Sequence, residues 1–248
     1  TYYNRRVRDS KPGGYGKISL ARGFELSSNT VLVQSVMESY KDNPKIFVDR
    51  INSYGLNKPL GLPIEGEGVP SIPQPGTSKW SGVSLPWMAF GYGVSVTPLQ
   101  TLTLYNAVAN NGVMVKPIFV SEIKEWNKTI KKYNTQVINP KICSQETLDK
   151  VHVVLENVVK KGTGSKLYSK DFSMAGKTGT AQVNYKDKSK LYYASSFVGY
   201  FPAKEPKYSC IVIINKPNVA AGYYGADVSG PVFKRIAQKI FTDSPSMN

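Results

Sequence analysis

The 248 residues suffice for one large or two small domains, and a composition 41% hydrophobic and 20% charged is that of a globular protein, which excludes a disordered chain. The formal charge of +15 favours anionic partners, whether nucleic acid, acidic lipid or a carboxylate-rich polymer. Zinc-finger spacing, a ribonucleoprotein aromatic signature and a dense Arg helix are all absent, so nucleic acid is not an expected partner, and no run approaches the roughly 20 apolar residues of a membrane span.

Residues 1–19 read as an irregular, charged stretch with a turn at Pro12, Gly13 and Gly14. Val33, Val36, Met37 and Tyr40 recur at helical spacing, which predicts a helix from about Thr30 to Tyr40 with Ser28 or Asn29 at its cap, and Lys45–Ser53, with Ile46, Phe47, Arg50 and Ile51, predicts a second. Read this way, Ser27, Ser28 and Asn29 need be nothing more than a helix start. From Leu56 to Gly91 six prolines forbid a long helix, and Trp80 and Trp87 are expected to pin the segment to the body. Thr97 and Pro98 open a helix with a stripe of Leu99, Leu102, Tyr105 or Asn106, and Val108 or Ala109, which Asn111 and Gly112 close.

Residues 117–126 and 129–138 fit a hairpin carrying Lys124, Lys128, Lys131 and Lys132, with its turn near Asn127. Ser144 caps a helix whose face is Leu148, Val151, Leu155 and Val158, and which also holds His152, read as structural. SMAGKTGTAQV, LYYASSFVGYF and YSCIVIIN, joined by a turn with Lys186, Lys188 and Lys190 and by the short PAKEP link, predict an antiparallel meander. YSCIVIIN is apolar on both faces, so it calls for cover above and below and a neighbour on each edge. The closing helix offers Val232, Ile236 and Ile240 for one face. Cys143 and Cys210 support neither a disulfide framework nor a metal site, and metal catalysis lacks its ligands.

The most unusual stretch is SMAGKTGTAQ, Ser173–Gln182. Glycines in a strand cost conformational entropy, which is tolerable where another backbone or a ligand comes close. A lysine beside short hydroxyls suits a bound carboxylate, although a glycine-rich edge strand with a solvated lysine reads equally well from these letters.

Taken together, SSN at 27–29 and KTGT at 177–180 resemble the second and third active-site motifs of the penicillin-binding proteins, the serine transpeptidases that cross-link peptidoglycan. FGYGVSVTPLQTLTLYNAVANNG, GTG at 162–164 and GYYGADVSGPVFKRIAQKI extend the likeness across nearly the whole chain, toward the class B, septal type. The resemblance implies an α/β fold of α+β type, a penicillin-binding-protein or serine β-lactamase-like antiparallel sheet covered by helices. It implies no cofactor, with peptidoglycan stem peptides ending in D-Ala-D-Ala, β-lactams and membrane proteins of a division complex as partners. It also implies a place at the periplasmic face of the bacterial inner membrane, with an anchoring N-terminal helix outside this chain.

The departure from the pattern is the nucleophile. The family's Ser-x-x-Lys precedes its Ser-x-Asn motif, and none stands before Ser27; the literal match SEIK, Ser121–Lys124, follows it in a hairpin pattern. Residues 1–248 are therefore expected to be the C-terminal portion of one transpeptidase domain, incomplete at its N-terminal side, whose missing segment supplies serine, lysine and sheet strands.

By the resemblance, Ser27 would relay the proton, while Asn29 would hold the absent lysine and the substrate amide. Lys177 would keep the field positive and orient Ser27. Thr178 and Thr180 would hold the substrate carboxylate, with the Thr180 N–H as an oxyanion donor, and Gly179 would let the strand lie flat against the substrate. Two alternatives stay open: a serine β-lactamase or β-lactam sensor, with Glu65 or Glu67 activating water, and a non-catalytic scaffold.

Overall fold

The computed structural model of the chain describes residues 1–3, 5–184, 187, 189–220 and 222–244, so Lys186 and Lys188 of the expected turn lie outside the described residues. The helices are α1 (Leu20–Glu25), α2 (Asn29–Tyr40), α3 (Pro44–Ser53), α4 (Ser84–Met88), α5 (Pro98–Ala109), α6 (Gln145–Lys161) and α7 (Ser229–Asp243). The strands are β1 (Met114–Val115), β2 (Glu122–Glu125), β3 (Lys128–Lys132), β4 (Val137–Asn139), β5 (Ala175–Val183), β6 (Tyr192–Phe201) and β7 (Tyr208–Asn215).

Local chemistry sets the helix starts. Ser28, Thr97 and Ser144 each accept a main-chain N–H from the first turn of α2, α5 and α6, and Thr97 with Gln100 forms a reciprocal capping box. Gln100 is fully buried, and its Nε2 donates to the Lys58 carbonyl at 2.7 Å, so this cap also ties down the proline-rich segment.

The expected meander forms, in the order β5-β6-β7, antiparallel throughout. Alternation sends Phe197 and Phe201 of β6 to one face, where they pack with Phe233 and Ala237 of α7, and sends Val198 and Tyr200 to the other. On that second face Tyr200 and Ala175 join Ala107, Val108, Leu148 and Leu155 of α5 and α6. The Tyr200 hydroxyl lies 2.6 Å from His152 Nδ1, so the histidine serves to satisfy a buried phenol. Burial raises the phenol's pKa and lowers that of the imidazole. Among the described residues no strand pairs with the outer edge of β7.

Several expectations need correction. Of the stripe Val232, Ile236 and Ile240, only Ile240 packs against the core: Val232 and Ile236 are exposed, whereas Phe233 and Ala237 are fully buried. Both stripes have i, i+4 spacing. The large ring at 233 wins because it fills the space between Phe197 and Phe201, at centroid distances of 4.7 and 5.7 Å, while Ala237 lets the helix sit close. In α3 the buried residue is Val48, and Ile46 is exposed.

The hairpin is also shorter than expected. Only β2 and β3 pair in it, with Trp126 in left-handed conformation at the turn, while β4 pairs back to β1. Within the proline-rich segment, α4 carries Pro86, and its Trp87 packs on Phe90.

Phe233→Ala is expected to cost about 3–5 kcal/mol in urea unfolding, and Ile236→Ala under about 1 kcal/mol. Equal losses would mean that the helix face has been assigned wrongly.

Candidate functional site

A tight connection joins α1 to α2. Ser27 N–H donates to the Phe24 carbonyl at 3.1 Å and Ser28 N–H to the Gly23 carbonyl at 2.8 Å, the paired bonds that close a helix through a left-handed residue. That residue is Ser27, with φ 54°, where glycine is the usual choice. Ser28 at once caps α2, accepting from Val31 N–H at 3.3 Å. The helix end and the helix start thus share one residue pair, which fixes Ser27 between them.

The charged N-terminal stretch, read from sequence as irregular, clamps this connection. Asp9 Oδ1 accepts from Ser28 Oγ at 3.1 Å and from Thr30 N–H at 3.0 Å, and its Oδ2 from Thr30 Oγ1 at 2.7 Å. A carboxylate on the first-turn amides of α2 also complements the helix dipole. Asn29 Nδ2 donates to the Arg8 carbonyl at 2.9 Å.

The sheet wall is β5. Period-2 alternation points Thr178 and Thr180 to the α7 side and Lys177 to the α5 and α6 side. Among the described residues β5 pairs with a strand, β6, along one edge only, and on the other edge Gln182 N–H donates to the Tyr92 hydroxyl at 3.2 Å. By the alternation of an antiparallel ladder, the main-chain groups of Thr178 and Thr180 face outward along this same free edge. Gly225 N–H donates to Thr180 Oγ1 at 3.1 Å, and Thr178 Oγ1 lies 2.7 Å from Thr163 Oγ1.

A cleft of about 530 Å³ brings Ser27 and Asn29 together with Thr178 and Thr180. Arg8, Asp9, Thr163, Tyr92 and Asp227 also line it, and sequence reasoning assigned none of them. Thr163, Tyr92 and Asp227 had a signal, in the GTG, FGYG and GYYGAD stretches that carry the resemblance, and Arg8 and Asp9 had none. Glu65, Glu67 and Ser121 are not among the cleft's lining residues; Glu67 accepts main-chain N–H groups of Leu60 and Leu62, which lower its pKa and make it a loop anchor. A Cβ at Gly179 would meet Ser196 Oγ at 2.4 Å, so the glycine lets β6 and its side chains close on β5.

Lys177 lies behind the cleft wall. Its ammonium donates to the Thr178 carbonyl at 3.2 Å and sits 5.7 Å from the centre of the Phe24 ring. Burial pushes its pKa down to about 8, with no carboxylate offsetting the shift. The same Phe24 ring borders a second cavity of about 900 Å³, walled by apolar side chains that include Leu20, Leu32, Val36, Leu104 and Leu155.

The Penicillin binding protein transpeptidase domain family matches residues 2–238 of the chain. Stage V sporulation protein D of Bacillus subtilis is 31% identical over 93% of the chain and 35% of its own length. Peptidoglycan D,D-transpeptidase FtsI of Escherichia coli is 29% identical over 90% of the chain and 35% of its own length. The chain thus spans about a third of these relatives. Among solved structures, penicillin binding protein 3 of Mycobacterium tuberculosis, complexed with aztreonam, superposes with a TM-score of 0.81 at 26% identity, covering 96% of this chain and 54% of the other.

Two outcomes follow from strain and burial at the site. Ser27→Gly relieves the left-handed serine and is expected to stabilise the fold by about 1 kcal/mol in denaturant unfolding. The depressed Lys177 pKa means that the unfolded chain binds the proton more tightly. Stability is therefore expected to rise with pH between about 8 and 10.5, by about 3 kcal/mol, and to lose that slope in Lys177→Met.

Proposed function

We propose a function from one premise: this chain belongs to the penicillin-binding protein transpeptidase family. It forms the SxN and KTG walls of a peptidoglycan D,D-transpeptidase, and a Ser-x-x-Lys segment of the same protein supplies the third wall. The chain is then the C-terminal portion of one transpeptidase domain. The observation that carries this reading is the single cleft shared by Ser27, Asn29, Thr178 and Thr180, residues about 150 positions apart in sequence.

The carboxylate site has the required hydrogen-bond polarity. Thr180 Oγ1 already accepts from Gly225 N–H, which leaves its own proton to donate to an anion. The outward main-chain N–H of Thr180 is suited to an oxyanion, and removing one such donor typically costs about 3 kcal/mol of transition-state stabilisation. The Lys177 ammonium, close behind the strand, adds positive potential toward a substrate carboxylate.

In the reaction, the serine Oγ of the supplied segment bonds to the penultimate D-Ala carbonyl carbon while the segment's lysine takes its proton. Ser27 passes a proton to the departing amine of the terminal D-Ala. Asn29 turns from the Arg8 carbonyl to hold the lysine and the substrate amide. An amine from a second stem peptide then attacks the ester and frees the serine. β-Lactams enter as acylating analogues.

The apolar cavity of about 900 Å³ supports the missing wall. A packed protein seldom leaves so large an apolar hollow beside the ring that borders a buried lysine, and a helix bearing Ser-x-x-Lys would fill it and place its polar residues near Ser27. The unpaired edge of β7 offers a place for a strand of the same segment. The whole protein would stand at the periplasmic face of the inner membrane, among the membrane proteins of a division complex; among the described residues no helix is long and apolar enough to cross a membrane. A β-lactamase reading lacks its water-activating carboxylate at Glu65 or Glu67, neither of which lines the cleft.

Intact mass after incubation with benzylpenicillin tests the proposal. The isolated chain is expected to gain no adduct, and the whole protein one penicilloyl group on the Ser-x-x-Lys serine. An adduct on Ser27 or Ser121 overturns the assignment, and rapid release of opened drug favours the β-lactamase.

A further inference from the structure

The GTG triplet at 162–164 is given no role by the reaction above. Its middle residue nevertheless touches both halves of the cleft. Thr163 N–H donates to the Glu25 carbonyl at 3.0 Å, two residues before Ser27, and Thr163 Oγ1 lies 2.7 Å from Thr178 Oγ1. The flanking glycines make that placement possible. A Cβ at Gly162 would meet the Glu25 carbonyl oxygen at 2.3 Å and Val158 Cα at 2.8 Å, and one at Gly164 would meet the Val158 carbonyl oxygen at 3.2 Å. The turn therefore tucks under the end of α6, whose terminal carbonyl at Val158 accepts the N–H groups of both glycines.

Glu25 is held rigidly on the other side. It is 3% exposed, and its carboxylate takes Arg22 Nη1 and Asn157 Nδ2, each at 2.8 Å. Thr163 is thus anchored through its main chain to the connection that carries Ser27, with its hydroxyl left for β5.

We propose that Thr163 is a positioning residue for the substrate carboxylate site, acting through Thr178; this rests on the function proposed above. In this role the Thr163 hydroxyl is the donor and Thr178 Oγ1 the acceptor of the 2.7 Å contact. That bond holds the Thr178 rotamer and occupies its oxygen as acceptor, so the Thr178 proton points to the bound carboxylate, and polarisation along the pair strengthens the outer bond. Thr180 receives the same treatment from the Gly225 N–H, so both hydroxyls of the strand meet the anion as donors.

The test uses the whole protein with its Ser-x-x-Lys segment, and compares acylation by benzylpenicillin and by its methyl ester, which lacks the charged carboxylate. Thr163→Val is expected to slow acylation by the acid about tenfold and leave the ester within about twofold, with Thr163→Ser restoring the acid rate. In the double variant with Thr178→Val, the loss is expected to equal that of Thr178→Val alone. Thr163→Ala gives the same readings if the second valine methyl disturbs the turn. Equal losses for acid and ester, or additive losses in the double variant, would mean that Thr163 only supports the fold and would overturn the role. Normal rates in both Val and Ala variants would also overturn it, while leaving the transpeptidase assignment intact. A wild-type protein that is not acylated at all would overturn the assignment and this role with it.

Discussion

One main-chain hydrogen bond, from Thr163 N–H to the Glu25 carbonyl at 3.0 Å, ties the turn after α6 to the connection that carries Ser27. It forms only because position 162 has no side chain, since a Cβ there would lie 2.3 Å from the same carbonyl oxygen. On one side of the bond stands the connection that carries Ser27, and on the other the strand that carries Thr178. A cleft between two such bodies keeps its width only if something short and rigid spans it, and a buried main-chain bond backed by the Glu25 carboxylate does so.

Strain and electrostatic cost collect at this junction. A left-handed serine and a buried lysine with no carboxylate partner among the described residues both oppose stability, and both border the cleft or its rear wall. The surrounding structure compensates with directed polar contacts: Asp9 on the first turn of α2, and Gly225 and Thr163 on the two threonine hydroxyls. The packed core that supports them lies farther off, where Phe233 wedges between Phe197 and Phe201.

The two cavities divide the chemistry. The polar cleft is lined by hydroxyls, amides and charges, and the large apolar hollow shares no lining residue with it; the ring of Phe24, which borders the hollow, lies 5.7 Å from the Lys177 ammonium behind the cleft wall. A group delivered from the apolar side would arrive beside a lysine whose proton is already loosened by burial.

The sequence by itself determined what is decided within a few residues. Helix starts at Ser28, Thr97 and Ser144 depend on side chains bonding amides three positions on, and the β5-β6-β7 meander on period-2 patterning with short links. The roles expected of KTGT and SSN came from the family resemblance, since the letters alone read equally well as a solvated edge strand and a helix start. Tertiary structure alone decided which of two equally spaced apolar stripes α7 would bury, since only the space between Phe197 and Phe201 selects the ring at 233 over Val232. It also decided that Asp9, in a stretch without periodicity, would cap α2, that Ser27 would turn left-handed, and that Gly162 would admit the bond joining the two motifs. These outcomes rest on atoms brought within about 3 Å across as many as 138 residues of chain, from Glu25 to Thr163, and no local pattern encodes an approach that only the completed packing permits.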